Sequence, residues 1–136
     1  MLHVLRSAVR HGPIVTGSAA LVDYLRADMA HYSIEQVRVL HLNCRNMLMR
    51  DETVSQGTID GATVHVREII ARALELGSSG LILVHNHPSG DPSPSKEDVA
   101  TTRALLAAAQ PFGICLHDHV IVGAEGCASL RSMGLL

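Results

Sequence analysis

Aromatic side chains are scarce in this sequence of 136 residues, which has two tyrosines, one phenylalanine and no tryptophan. Sites for single-stranded nucleic acid usually stack bases on aromatic rings, so this scarcity argues against such a platform. Lys96 is the only lysine, and 13 acidic residues face 11 basic ones without any basic cluster. Because surfaces that bind DNA or RNA are normally basic, the composition also argues against direct nucleic-acid binding.

Cysteines and long apolar segments are also few. Cys44, Cys115 and Cys127 are widely separated and odd in number, so they form neither a CxxC pair nor a disulfide framework. A reducing compartment suits such cysteines. No apolar run is long enough to indicate a membrane span, and the first residues lack the pattern of a signal peptide. We therefore expect a cytoplasmic protein without membrane segments.

The sequence is rich in aliphatic residues, and 47% of its residues are hydrophobic. We expect a core of Leu, Val, Ile, Ala and Met. The length corresponds to one domain, with residues 1–11 as a lead-in segment and residues 12–136 as the domain itself. Nothing in the sequence indicates the oligomeric state.

Hydrophobic periodicity predicts alternating helices and strands. Helices are predicted at 17–30, 64–77 and 98–110. Strands are predicted at 36–43, 46–55, 80–84 and 114–123, the first two joined as a hairpin by a turn at residues 44–46. The final residues, CASLRSMGLL, are predicted to form a short helix or turn. The run GLILV at 80–84 is apolar throughout and should be a central strand covered on both faces. Together these elements predict an α/β fold with a mixed central sheet flanked by helices in layers.

Two of the predicted helices have recognisable ends and apolar faces. Ser18 is the expected N-cap of the first helix, and its apolar face consists of Leu21, Tyr24, Leu25 and Met29. Gly77 is the expected left-handed residue that ends the second helix. The predicted apolar face of this helix consists of Ile69, Ile70, Ala73, Leu74 and Leu76.

Two histidines, His85 and His87, follow the predicted central strand. Side chains alternate along a strand, so both imidazoles should point to one side and Asn86 to the other. Pro88 then ends the pairing. Chemistry in α/β proteins is often placed at such strand ends. A catalytic metal site would need a third protein ligand beside the two histidines.

Asp98 and Asp91 are the candidates for that third ligand. Asp98 lies in the first turn of the helix after the proline-rich loop, from which its carboxylate could reach back to the histidines. Asp91 lies in the loop, where aspartate commonly forms turns. Ser95 and Asp98 also fit the capping box S-x-x-D, which would explain both without a metal. The histidines, two of nine in the chain, could equally be ordinary core or surface residues.

The spacing H-x-H-x7-S-x2-D resembles the metal-binding motif of the JAMM (MPN/JAB) metallopeptidases. The segments VREIIARALELGSSGLILVHNHPSGDPSPSKED and LHDHVIVG and the terminal GLL resemble one branch of that group, the RadC family. The resemblance covers about residues 12–136. It implies a JAB/MPN-like fold, which is related in its layering to the zinc deaminases.

The resemblance also implies a chemistry. Zinc would be held by His85, His87 and Asp98, and Glu35 matches the upstream glutamate that acts as general base and acid on the zinc-bound water. The implied reaction is hydrolysis of an amide or isopeptide bond in a polypeptide substrate. Ser95 would donate a hydrogen bond to the developing oxyanion.

The resemblance to the RadC family also covers the DH pair of Asp118 and His119, which are expected to support the site by hydrogen bonding. His117 forms a second HxH with His119 but has no visible third ligand. His41 is expected to be a strand-face histidine or, alternatively, a supporting partner of the site. The other acidic candidates for the role of Glu35 are Glu52, Glu68, Glu75 and Glu97.

Two features keep a second interpretation open. RadC proteins usually have an N-terminal helix-hairpin-helix region, and the residues before Gly12 are too few for one, so we expect a stand-alone version or a shortened piece. Some MPN domains have lost catalysis and serve as binding scaffolds. The alternative to a hydrolase is therefore a metal-containing interaction module associated with DNA repair.

Overall fold

The computed structural model describes residues 12–13, 19–29, 32–56 and 64–136, and a five-stranded sheet lies at its centre. The elements follow the chain as α1 (Ala19–Met29), β1 (Gln36–Leu42), β2 (Leu48–Gln56), α2 (Val66–Leu76), β3 (Gly80–Asn86), α3 (Lys96–Ala109), a 3-10 turn (Gln110–Phe112), β4 (Cys115–Gly123) and β5 (Gly126–Ser129). In the described ranges, no helix is long and apolar enough to cross a membrane.

The sheet is mixed and has the strand order β2-β1-β3-β4-β5. The pair β3–β4 is parallel, and the other three neighbouring pairs are antiparallel. Strand β3 is the middle strand and every one of its residues is buried. This confirms the central strand predicted from GLILV, since a run that is apolar on both faces needs covering on both sides.

Alternating residues of the sheet build two apolar clusters, one on each face. On one face α1 packs against Leu40, Leu42, Ile82 and Val84. On the other face α2 and α3 pack against Val37, Val39, Leu81 and Leu83. The predicted α/β fold, a mixed sheet flanked by helices in layers, is thereby confirmed.

Several predicted details are confirmed by the local geometry. The four residues predicted for the apolar face of α1 are all buried, namely Leu21, Tyr24, Leu25 and Met29. The β1–β2 hairpin turns at residues 44–46, where the Asn43 side chain accepts hydrogen bonds from the N–H groups of Arg45 (2.9 Å) and Met47 (3.0 Å). Gly77 ends α2 with φ 71°, in the left-handed conformation. Ser18 and residues 1–11 lie outside the described residues.

Two predictions about helices need correction. Leu74 is 51% exposed, because the buried stripe of α2 runs through Ile69, Ile70 and Ala73 and Leu74 lies at its rim. The third helix begins at Lys96, two residues earlier than predicted. It begins there because Ser95 caps it.

The prediction of a short helix or turn for CASLRSMGLL was wrong for residues 127–129, which belong to strand β5, whereas residues 130–134 do form turns. This strand pairs antiparallel with β4 through a two-residue turn between Gly123 and Gly126. The edge of β4 offers unpaired backbone groups, and the tight turn brings the chain back to satisfy them. A Cβ atom at Gly123 would lie 2.1 Å from the carbonyl oxygen of Gly90, so only glycine allows the loop after β3 to pack there.

A buried arginine joins α1 to the β1–β2 hairpin. Arg38 forms ion pairs with Asp28 of α1 and Asp51 of β2, and its Nε donates to Asp51 at 2.9 Å. Tyr24 donates its hydroxyl proton to Asp51 at 2.7 Å, and burial together with this carboxylate raises the pKa of Tyr24 to about 12. Although burial disfavours a charged guanidinium, the two carboxylates raise the pKa of Arg38 above its ordinary value.

We predict that Arg38→Met strongly destabilises the fold. The variant leaves Asp28 and Asp51 without their buried counter-charge, and breaking such a group costs about 3–5 kcal/mol of unfolding free energy. Urea unfolding followed by circular dichroism measures the loss. Arg72→Met is the matched control, because Arg72 pairs with Glu52 and Glu75 nearer the surface and should cost much less. Equal losses in the two variants would contradict this account.

Candidate metal centre

The two histidines of the HxH motif lie together where β3 ends. His85 is buried on the face that α2 and α3 cover, and His87 follows the strand at an intermediate exposure. Their ring centroids are 4.7 Å apart, with the rings nearly perpendicular at 89°. The N–H of His87 donates to Val122 of β4 at 2.8 Å, which fixes the backbone just beyond the strand. The alternation expected along the strand therefore places both imidazoles on one face of the sheet, at the end of β3.

Asp98 bridges the two histidines from the first turn of α3. One carboxylate oxygen lies 3.2 Å from Nδ1 of His85 and the other lies 3.2 Å from Nε2 of His87. The same carboxylate accepts the N–H of Ser95 at 2.8 Å, while the Ser95 hydroxyl accepts the N–H of Asp98 at 3.0 Å. These reciprocal bonds form a capping box. Asp98 thus caps its helix and faces the histidines at once.

The contact between Asp98 and the histidines shifts the pKa of Asp98 and of His87. Burial opposes the charged form of Asp98, but hydrogen bonds to His85 and His87 hold its pKa well below the usual range. The hydrogen bond to Asp98 raises the pKa of His87, against the effect of burial. Asp98 and His87 therefore stabilise each other's charged forms, as expected for a carboxylate and an imidazole in direct contact.

Glu35 approaches the same histidines from the other side. It lies one residue before β1, and its carboxylate contacts Nε2 of His85. Donor atoms of Glu35, His85 and His87 all lie within 4.8 Å of one another, so this group could hold a metal ion. His85 therefore presents Nε2 to Glu35 and Nδ1 to Asp98. The structure thus brings together Glu35, His85, His87 and Asp98, the four residues to which the family resemblance assigns metal binding and proton transfer.

The proline-rich loop orients His87 through its backbone. Nδ1 of His87 lies 3.0 Å from the carbonyl oxygen of Asp91, so this nitrogen donates its proton there, and Nε2 is the nitrogen that faces Asp98. The carboxylate of Asp91, the rival third ligand, accepts hydrogen bonds from the N–H (3.0 Å) and hydroxyl (2.8 Å) of Ser93. Asp91 consequently acts through its carbonyl group, and its side chain forms a turn.

The donor set fits a divalent transition metal. One donor atom each of Glu35, His85 and His87 lies within 4.8 Å of the others. Asp98 contacts both histidines as well, but on the opposite nitrogen of His85 from Glu35. Zinc sites are commonly built from such nitrogen and oxygen donors. Cysteine does not belong to this group. A catalytic zinc site needs three protein ligands, and these four side chains could supply them.

Comparison with known proteins identifies the architecture. A family model described as a RadC-like JAB domain matches residues 15–135. The chain belongs to the RadC family. This confirms the resemblance inferred from the HxH, S-x-x-D and DH segments.

Curated relatives within the RadC family are similar over nearly the whole chain. A UPF0758 protein of Rhodobacter capsulatus is 48% identical over 131 residues, which cover 96% of this chain and 61% of the relative. A UPF0758 protein of Ruegeria pomeroyi is 44% identical over 131 residues, which cover 96% of this chain and 58% of the relative. The chain therefore spans about three fifths of the length of these relatives.

The DH pair of the RadC pattern divides between the two faces of the sheet. A register shift in the β3–β4 pairing falls at His117, so that Leu81 faces Leu116 while Ile82 faces Asp118. The extra residue changes the alternation and directs His119 to the face of the metal centre. The rings of His119 and His85 stack at 5.8 Å.

His119 has a defined tautomer. The Thr102 hydroxyl donates to the carbonyl oxygen of Asp98 at 2.6 Å, so it must accept the proton on Nδ1 of His119, which lies 2.6 Å away. Burial lowers the pKa of His119 to about 3, and the neutral ring can lie beside His85 without charge repulsion. The Nε2 atom of His119 is buried and has no hydrogen-bond partner within the described structure.

Asp118 serves the C-terminal hairpin. Its carboxylate accepts hydrogen bonds from the Ser129 hydroxyl (2.6 Å) and the Arg131 N–H (3.0 Å). Asp118 is completely buried, so these bonds are needed to satisfy its charge. The N–H of His119 also donates to the Asp118 carboxylate at 2.8 Å, so Asp118 links the hairpin to the histidine that stacks on His85.

Sequence reasoning missed two residues beside the centre, Thr102 and Asn86. Thr102 lies one helical turn after Asp98 and connects it to His119. The i, i+4 spacing on α3 was the available signal. Asn86 was expected only to point to the opposite side of the strand from the two histidines. Its side chain is buried and forms hydrogen bonds with the backbone of Ile34 and Gln36, the residues on either side of Glu35.

The remaining candidates lie apart from the centre. His41 is a buried strand-face residue whose Nδ1 pairs with the Ser78 hydroxyl at 2.7 Å. His117 lies 3.6 Å from the Cys115 sulfur, and among the described residues no third ligand joins them. Of the alternative acidic residues, Glu52 and Glu75 bind Arg72, while Glu68 and Glu97 are exposed in the first turns of their helices.

We predict that Ser95→Ala lowers the unfolding free energy by about 1 kcal/mol, the usual value of an N-cap hydroxyl. The variant removes the acceptor for the Asp98 N–H, so the first turn of α3 loses half of its capping box. Urea unfolding measures the change. Ser95→Thr keeps a hydroxyl and should retain most of the stability. The account fails if alanine and threonine behave alike.

Proposed function

We propose that this chain is a zinc-dependent hydrolase of the JAMM type that cleaves an amide or isopeptide bond in a polypeptide. The observation on which this rests is that Glu35 and Asp98 both contact the histidines of the HxH motif at the end of β3, with donor atoms of Glu35, His85 and His87 within 4.8 Å of one another. Membership of the RadC-like JAB family supports the same chemistry.

The proposed zinc ligands are His85, His87 and Asp98. Asp98 contacts both histidines at 3.2 Å, which is the arrangement of a shared third ligand. Glu35 contacts one of them and comes from a different part of the chain, so we assign it the separate role of proton carrier. A set of Glu35, His85 and His87 is the competing assignment, because one donor atom of each lies within 4.8 Å of the others.

Zinc in such a site supplies Lewis-acid activation of a water molecule. Glu35 would serve as general base toward the attacking water and as general acid toward the leaving amine. Its carboxylate is half-buried and contacts His85, one of the proposed ligands, which supports this role. The Ser95 hydroxyl accepts a bond from Asp98, which leaves its own proton available for the developing oxyanion.

The substrate class follows from the reaction and from the charge of the chain. The formal net charge of -2 supports a polypeptide or isopeptide-linked substrate over direct contact with nucleic acid. The cytoplasmic location and the single domain at 12–136 stay predictions. The activity of the longer relatives as whole proteins is a separate question, since the chain spans 61% and 58% of two of them.

We predict that the purified protein retains about one equivalent of zinc after dialysis, as a site with three protein ligands should. His85→Ala and His87→Ala should lose the metal, and mass spectrometry of the elements measures the content. His65→Ala is the control, because His65 is exposed at the start of α2 and away from the centre. Retention of zinc by both His85→Ala and His87→Ala would refute the ligand assignment.

Measuring both zinc content and hydrolysis of a peptide library distinguishes the role of Asp98 from that of Glu35. Asp98→Asn should lose zinc, whereas Glu35→Gln should keep zinc and hydrolyse roughly 10²–10⁴-fold more slowly, the usual value of general acid–base catalysis. Loss of zinc from Glu35→Gln with retention by Asp98→Asn would establish the competing ligand set.

Equal and negligible rates in native protein and Glu35→Gln, with zinc bound to both, would instead support the interaction module. Strong, salt-dependent binding to DNA would favour its association with repair.

A further inference from the structure

The residue between the two metal-centre histidines, Asn86, extends the pairing of β1 with β3. In the antiparallel register Val37 faces His85, and the next position would bring Gln36 opposite Asn86. Here the side-chain oxygen of Asn86 accepts the Gln36 N–H at 2.6 Å, and its side-chain nitrogen donates to the Ile34 carbonyl at 3.1 Å. A carboxamide offers the same acceptor and donor as a peptide group, so it can replace one in the ladder.

The two backbone groups that Asn86 binds flank Glu35. One belongs to the residue before Glu35 and the other to the residue after it. Because each peptide unit is planar, fixing both neighbouring units restricts the backbone of Glu35 itself. The side chain of Glu35 then meets His85, which is the immediate neighbour of Asn86 in β3.

The segment that Asn86 binds is irregular, and its first residue, Tyr32, packs against the core and donates its N–H to Met29. Residues 32–35 belong to no helix or strand, and the Ile34 side chain is 51% exposed, so packing contributes little at that position. Asn86, by contrast, is 1% exposed inside a strand buried along its whole length. The rigid partner is therefore Asn86, and the irregular segment follows its position.

We propose that Asn86 is a positioning residue that places the carboxylate of Glu35 against His85. This inference rests on the proposed function, in which Glu35 transfers the proton. A single strand then determines both sides of the reaction centre, because His85 and His87 project from it on one side while Asn86 fixes Glu35 from the other. The hydrogen bonds described for the Asn86 side chain go to the backbone of Gln36 and Ile34, so it acts through Glu35.

The first test separates turnover from metal binding. Asn86→Ala removes both hydrogen bonds while leaving His85, His87 and Asp98 in place, so zinc content and KM should stay near native values. The value of kcat should fall about 10- to 100-fold, as expected when a catalytic group is misplaced by about 1 Å. Asn86→Asp keeps the acceptor for Gln36 but not the donor for Ile34 when ionised, and should give an intermediate kcat.

The matched control is Ser78→Ala, which removes a buried hydroxyl that pairs with His41 elsewhere in the sheet. It should leave kcat unchanged. A loss of kcat in Asn86→Ala no larger than in this control would overturn the positioning role, since it would then reflect a general loss of buried polar contacts.

The second test does not depend on activity. Hydrogen exchange at the Gln36 amide, followed by NMR, should be roughly tenfold faster in Asn86→Ala than in native protein, the value of one hydrogen bond. Exchange in Ser78→Ala and Asn86→Asp should remain near the native rate. Unchanged exchange at Gln36 in Asn86→Ala would show that the bond does not order this segment and would overturn the inference.

Failure of the proposed function would be recognised separately, as native protein with bound zinc that hydrolyses none of the peptides. Crystal structures of zinc-loaded native protein and Asn86→Ala would then decide the inference. A Glu35 carboxylate that leaves His85 in the variant supports positioning by Asn86, and an unmoved carboxylate overturns it.

Discussion

The carboxylate of Asp98 is the contact on which the centre depends. It accepts the Ser95 N–H and so belongs to the start of α3, and it also faces His85 and His87 at the end of β3. The start of α3, in the helical layer, and the end of β3, in the sheet, are therefore joined by one side chain. Capping and metal binding had been alternative explanations of Asp98, and the geometry allows both together.

The main features of this arrangement can be predicted from the sequence because local signals agree with the fold. An apolar run followed by H-x-H-P describes a covered strand whose alternation continues into the site. The S-x-x-D pattern places Asp98 on the first helical turn. Where hydrophobic periodicity and capping signals agree, a single sequence is enough to predict the element and the residues at its end.

The features that escaped prediction depend on partners distant in the chain. The role of Asn86 requires the register of β1 against β3, and the direction of His119 requires a register shift at His117. Strand β5 exists because the edge of β4 needs a partner, although CASLRSMGLL has no clear strand pattern. Exposure of Leu74 depends on how α2 lies against the sheet. None of these is determined by local sequence.

The most direct measurement is anomalous diffraction at the zinc absorption edge from crystals of the zinc-loaded protein. The account predicts one peak within about 2.0–2.2 Å of nitrogen atoms of His85 and His87 and of an Asp98 oxygen, with Glu35 close by but outside the ligand set. A peak elsewhere, such as beside Cys115 and His117, or a metal held with Asp98 turned away, would contradict it.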